Sequence, residues 1–125
     1  MIINMELKII NQEFSICKLN DLSQVDYSDE FCFIGKTDEE LSLVCSTKSV
    51  PANACECDNG WRGFRIHGVL DFTLIGILSK ISTLLTDNII GIFAVSTYNT
   101  DYILTKKENF NKAIEVLDKN GYKIV

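Results

Sequence analysis

The sequence predicts an α+β chain in two parts: a mostly β first half, residues 1–58, and a second half, residues 59–125, whose elements run β-α-β-β-α-β. Three observations predict it. Two segments of the second half carry apolar residues at helical spacing, and short β-branched and aromatic runs flank each of them. The first 58 residues show strand-like runs but no long helical stripe. The length of 125 residues suits one compact fold or two subdomains sharing a core.

In the first half, ELKII (6–10) and EFSICKL (13–19) read as strands, with Asn11-Gln12 between them as a hairpin turn. NDLSQVDYSD (20–29) is polar and reads as a loop with room for one helical turn. FCFIG (31–35) and LSLVCS (41–46) are two further strands around KTDEE (36–40). KSVPANACECDNG (48–60) holds the single proline, Pro51, ends in Asn59-Gly60, and reads as a connector.

The second half opens on WRGFRIHGV (61–69), in which Phe64 and Ile66 share one pleat face and Arg65 and His67 the other. In DFTLIGILSKISTLLTDN (71–88), Leu74, Ile77, Leu78, Ile81, Leu84 and Leu85 fall on one stripe of a helix. Asp71 is a candidate N-cap, and Gly76 falls in the first turn. IIGIFAV (89–95) is nearly all apolar, which predicts a strand buried on both faces or in a sheet centre. DYILT (101–105) is the next strand. Thr105-x-x-Glu108 has the form of a capping box, Phe110, Ala113, Ile114 and Leu117 follow at helical spacing, and Asn120-Gly121 closes that helix before a last strand at YKIV (122–125). The order is that of a ferredoxin-like split βαβ unit, with two helices on one face of a four-stranded antiparallel sheet.

Composition narrows the function. A net charge of -5 argues against nucleic acid and anionic membrane as partners, because both need a basic patch. No apolar run is long enough to span a bilayer, and the N-terminus MIINMELKII lacks the basic region and cleavage site of a signal peptide. The expected location is therefore cytoplasmic, with five reduced cysteines, Cys17, Cys32, Cys45, Cys55 and Cys57, as small buried or half-buried thiols. The C-x-C at Cys55 and Cys57 lacks zinc-site spacing, and His67 is the one histidine, so no metal is expected. There is no nucleophile elbow, phosphate loop or dinucleotide fingerprint, and Asp38-Glu39-Glu40 reads as a solvated turn. No cofactor and no catalytic residues are expected.

The polar stretch STYNTDY (96–102) is longer than a tight hairpin requires. In the split βαβ order, the loop entering the first helix (70–76) and the loop 96–101 lie at one end of the sheet, on neighbouring strands. A helix start offers unpaired N–H groups and partial positive charge for an anion. Ser96, Thr97, Tyr98, Asn99, Thr100 and Asp101 offer donors and acceptors, and the Asp101 carboxylate can accept from an ammonium group. An anion socket beside a carboxylate matches an α-amino acid zwitterion. An ordinary solvated turn is the alternative reading of the same loop.

DFTLIGIL (71–78) with STYNTDYIL (96–104), together with EELSLVC (39–45), Val50-Pro51 and Gly60-Trp61-Arg62, resembles the small bacterial proteins that carry ACT domains. These are related to the ACT modules of aspartate kinases and to arginine sensors of the CASTOR type. The resemblance covers most of the chain. It implies an ACT domain at 59–125 preceded by a reduced, ACT-like half at 1–58. It also implies an amino-acid site lined by Phe72, Thr73, Leu74, Ile75, Gly76 and Ile77 at the helix start and by Ser96, Thr97 and Asp101 in the loop. Ile75 stands where relatives often have a small polar residue. The expectation is a stand-alone regulatory sensor, not an enzyme, that acts as a homodimer with the ligand at an ACT–ACT interface and signals to a regulated enzyme or other protein. The alternative is a protein-interaction module of the same fold that binds no ligand.

Overall fold

The computed structural model describes residues 5–67 and 76–125. Their elements are β1 (Glu6–Leu19), β2 (Cys32–Lys36), β3 (Leu41–Ser46), a 3₁₀ turn (Thr47–Ser49), β4 (Ala54–His67), α1 (Ile77–Asp87), β5 (Phe93–Ser96), β6 (Asp101–Lys106), α2 (Lys107–Lys119) and β7 (Lys123–Ile124). Two compact units form: Met1–Asn11 with Arg62–Val125, and Gln12–Trp61. The long strands β1 and β4 each give one end to either unit.

In the larger unit the strand order is β7, β1, β4, β6, β5. The order β4-α1-β5-β6-α2-β7 is the ferredoxin-like succession. One difference from the four-stranded expectation is that β1 stands between β4 and β7. β7 pairs parallel to β1, Glu6 with Lys123 and Leu7 with Ile124. Backbone bonds from Lys123 N to Met5 O (2.9 Å), from Val125 N to Leu7 O (2.9 Å) and from Ile9 N to Val125 O (3.0 Å) hold the pair.

The helices cover one face of these strands. Ile81 and Leu85 of α1 and Phe110, Ala113 and Leu117 of α2 are buried with Leu7, Phe64, Ile66 and Ile103 in one core. Ile77, Leu78, Leu84 and Ile114 pack against it half-buried. Each fully buried Leu or Ile contributes about 1.5–3 kcal/mol, so this stripe is what holds the helices in place. The Arg62 guanidinium lies 4.6 Å from the centre of the Phe110 ring, a cation–π contact that closes the core at its polar margin.

Both helices end in a Schellman arrangement. In α2, Tyr122 N bonds Leu117 O and Gly121 N bonds Asp118 O, with Gly121 at φ 95°. In α1, Ile90 N bonds Leu85 O and Ile89 N bonds Thr86 O, with Ile89 at φ 60°. A β-branched residue therefore occupies the left-handed position that glycine fills in the sister helix, and it is 91% exposed.

Several local expectations are corrected. Asn11-Gln12 makes no hairpin: β1 runs through it unbroken, for no glycine is present to take the positive φ of a two-residue turn. Residues 54–60 of the expected connector are the first half of β4, and Gly60 inside it adopts φ 83°, the conformation a bulge uses. The apolar run 89–95 is a strand only from Phe93, because Ile89 and Ile90 complete the α1 terminus. β5 is an edge strand of alternating exposure, not a doubly buried one. The capping box at Thr105 does not form. Thr105 is buried in β6, its hydroxyl donates to Lys106 O, and Lys106 is the N-cap, its side chain making no capping bond. Gly76 lies outside the helix, as its N-cap, and Asp71 falls outside the described residues.

The smaller unit has strand order β2, β3, β1, β4, with β2–β3 and β3–β1 antiparallel. Its core gathers Cys17, Leu19, Val25, Leu43 and Cys45. The polar loop after β1 is built of turns, not a helical turn. Asp21 accepts from Ser23 N, Asp26 from Ser28 N and Asp29 from Phe31 N, each two residues on. Asp29 also accepts from Ser46 N (3.0 Å) and Ser46 Oγ (3.0 Å), which ties the loop to the end of β3. Burial acts to raise the Asp29 carboxyl, but the bonds from Phe31, Ser46 and Ser49 outweigh it and leave it below the usual carboxylate range.

Two tests follow from this geometry. Ile89→Gly removes the left-handed strain and no buried surface, so it should stabilise the protein by about 1 kcal/mol, read as a higher urea midpoint at unchanged m. A carboxyl held below its unfolded pKa contributes stability above that unfolded value and loses it as pH falls through the folded one. Asp29→Asn should therefore flatten the acid limb of a stability–pH curve and lower stability at pH 7, with little difference from wild type at the acid end.

Candidate functional site

The site expected from the sequence divides into what the structure describes and what it does not. Phe72, Thr73, Leu74 and Ile75 lie outside the described residues. Gly76, Ile77, Ser96, Thr97 and Asp101 lie within them.

The loop is fixed by its own chemistry. β5 and β6 pair antiparallel, with Ser96 opposite Asp101, Val95 opposite Tyr102 and Ala94 opposite Ile103. Beyond Ser96, Thr97 N donates to Thr100 O (2.8 Å) and the Thr97 hydroxyl to the same oxygen (2.9 Å). Thr100 N in turn donates to Thr97 Oγ1 (3.4 Å). Tyr98 and Asn99 form the tip, and the Tyr98 ring is wholly exposed. The long linker is thus a hairpin loop closed by a threonine pair, not a loose one.

Residues paired across antiparallel strands point to the same face, and alternate residues of one strand share a face. Ile103 is buried in the core beneath the helices. Asp101, two residues before it, and Ser96, opposite Asp101, therefore face the helix side at the end of the strands. Asp101 is half-buried, while Ser96 and Ala94 on the edge strand are exposed. A carboxylate and a hydroxyl thus stand side by side on neighbouring strands.

One bond anchors this loop to its neighbour. Thr100 Oγ1 donates to Ile66 O at 2.7 Å. β4 and β6 are adjacent, and β4 ends at His67, where the chain leaves toward α1. The 96–101 loop accordingly lies against the end of β4; the 70–75 part of the helix-entry loop expected beside it lies outside the described residues. The residue that makes this link, Thr100, was legible only as a polar loop residue. Its partner is a main-chain carbonyl 34 positions away, which has no sequence signature.

At the other component, Gly76 takes φ 86° and ψ 9°, and Lys80 N closes the first turn on Gly76 O (2.9 Å). Among the described residues a Cβ added there would meet nothing within 4 Å, so it is the backbone conformation that needs glycine. Among the described residues no side chain caps α1 and no acidic residue stands in its first turn. Ile77 faces the core, half-buried, and offers a wall, not a polar contact. Among the described residues no group of three or more His, Cys, Asp or Glu side chains could hold a metal ion, and no helix is long and apolar enough to cross a membrane.

Thr100→Val keeps the shape of the side chain and deletes its bond to Ile66 O. It should cost about 1 kcal/mol in chemical denaturation, with strand pairing otherwise retained in the circular dichroism spectrum.

Comparison with known proteins locates this arrangement. A family model described as an ACT domain matches residues 56–119, and a second model, described as an N-terminal domain, matches residues 12–53. The crystal structure of protein Atu0741 from Agobacterium tumefaciens is 31% identical, with a TM-score of 0.84 over 97% of this chain and 92% of that one. VC0802 from Vibrio cholerae, described as a possible transport protein, is 18% identical at a TM-score of 0.68, covering 94% of this chain and 90% of that one. Aspartate kinase from Clostridium acetobutylicum, described as an allosteric enzyme, shares the fold at 13% identity and a TM-score of 0.66, over 94% of this chain and 34% of the kinase. No curated protein matches this chain.

Proposed function

Because the chain belongs to the ACT-domain family, we propose that it is a cytoplasmic amino-acid-binding regulatory module without catalytic chemistry of its own. The ligand carboxylate would meet the N–H groups at the start of α1, and Asp101 would accept from its ammonium group. Phe72 to Ile77, Ser96 and Thr97 would line the rest. The observation that carries this reading is the pairing of Asp101 with Ser96 on the helix-bearing face, at the sheet end where Thr100 is bonded to Ile66. The module would work as a homodimer with the site at an ACT–ACT interface, and would pass occupancy to an enzyme or other protein. The same fold occurs in an aspartate kinase described as allosteric, which fits a regulatory role.

The second reading, an interaction module without ligand, draws on β5. Among the described residues it is the edge strand of the sheet, and a sheet edge can receive another strand. Light scattering that returns twice the mass of one chain would support the dimer, and a monomer at working concentration would remove it.

A thermal-shift screen with the twenty amino acids at millimolar concentration separates the readings. A ligand that binds only the folded state stabilises it by about 2.7 kcal/mol at a hundred times its Kd. One amino acid or one chemical class should raise Tm by several degrees, and Asp101→Ala should abolish the shift with the spectrum unchanged. If no amino acid raises Tm, the sensor reading fails and the interaction module stands. If Asp101→Ala retains the full shift, Asp101 is not in the site.

A further inference from the structure

The smaller unit holds a chemistry that the amino-acid reading leaves unused. Cys17 on β1 and Cys57 on the adjacent strand β4 place their sulfurs 3.2 Å apart. A disulfide needs about 2.05 Å, so bond closure asks for roughly 1 Å of movement. The two partners are unlike: Cys17 is buried at 3% exposure, and Cys57 is exposed. Cys55 is also exposed, on the same strand and the same pleat face as Cys57. Cys45 borders Cys17 inside the core, and Cys32 stands across the strand pair from Cys45.

We propose that Cys17 and Cys57 are a reversible dithiol–disulfide pair that exchanges with small-molecule disulfides, with Cys57 as the entry thiol and Cys17 as the resolving thiol. In the first step the Cys57 thiolate attacks one sulfur of the small disulfide. A mixed disulfide forms on Cys57, and the other half leaves as a thiolate that takes up a proton. In the second step Cys17 gives its proton to solvent and its sulfur attacks Cys57 Sγ. The Cys17–Cys57 bond forms and the second small thiol is expelled. Two protein thiols are oxidised and one small disulfide is reduced to two thiols, so atoms and electrons balance.

The order of events follows from access. The thiolate is the attacking form, and an entry thiol has to meet its oxidant in solvent. Burial, then the hydrogen bond and charge of Cys57, push the Cys17 thiol far above its ordinary range, so Cys17 is a poor first nucleophile. Once Cys57 is in the mixed disulfide it bears no charge against Cys17, which removes one of those causes. Cys45, raised to about 11 chiefly by burial, stays a spectator. The product bond would tie β1 to β4 within the Gln12–Trp61 unit.

The test treats the reduced full chain with oxidised glutathione without oxygen, followed by alkylation and non-reducing peptide mass spectrometry. The expected result is loss of two of the five thiols and a Cys17–Cys57 peptide, reversed by dithiothreitol. Cys55→Ser should form the same bond. Cys57→Ser should lose the intramolecular bond altogether, and, because that position is exposed, this arm does not depend on a core substitution. Cys17→Ser should stop at a lasting glutathione adduct on Cys57. Wild type that keeps a lasting adduct on Cys57, pairs Cys57 or Cys17 with another cysteine, or retains all five thiols overturns the proposal. None of these outcomes bears on amino-acid binding, so the two readings fail separately.

Discussion

The rest of the structure depends on the pairing of β1. Fourteen residues of extended backbone need partners for their N–H and C=O groups, and β1 finds them on three strands. Phe14 to Lys18 pair with β3, Glu6 and Leu7 pair with β7, and β4 runs alongside. Leu7 is fully buried in the core of the larger unit, and Cys17 and Leu19 in that of the smaller. One strand thus seeds two cores, and its continuity through Asn11-Gln12 is what makes this possible.

The same continuity explains which features the sequence revealed. Helices were legible because a 3.6-residue stripe is carried by the residues themselves: Ile81, Leu85, Phe110, Ala113 and Leu117 are buried as their spacing requires. LSLVCS was legible to the residue as β3. Strand pairing was not, because partners distant in sequence decide it. Asn11-Gln12 has turn-like composition but lies within a ladder, and Cys55 to Gly60 look like linker yet are strand for the same reason. The run at 89–95 misled because two of its isoleucines serve a helix terminus instead of a strand.

At the candidate site the polar groups of the 96–101 loop were legible, and their arrangement was not. Tertiary pairing puts Ser96 opposite Asp101, and a hydroxyl-to-carbonyl bond fixes the loop to β4. The loop spends its threonines on structure: Thr97 closes the turn and Thr100 anchors it. Asp101, half-buried, and Ser96, exposed, face the helix side. The threonine bonds order the loop that leads into Asp101.

The sharing of β1 also sets a timetable for synthesis. The Gln12–Trp61 unit is continuous in sequence and has all its strands once its own residues leave the ribosome. The larger unit has not: Glu6 pairs with Lys123, which is translated last among its partners. At about 5–20 residues per second the wait is roughly 6–20 s, with the start of β1 emerged and its β7 edge uncovered. Exposed apolar edges are aggregation sites during such intervals, and charged neighbours protect them. Glu6 and Lys8, alternating with Leu7 and Ile9, supply such charges on the nascent strand until its last partner arrives.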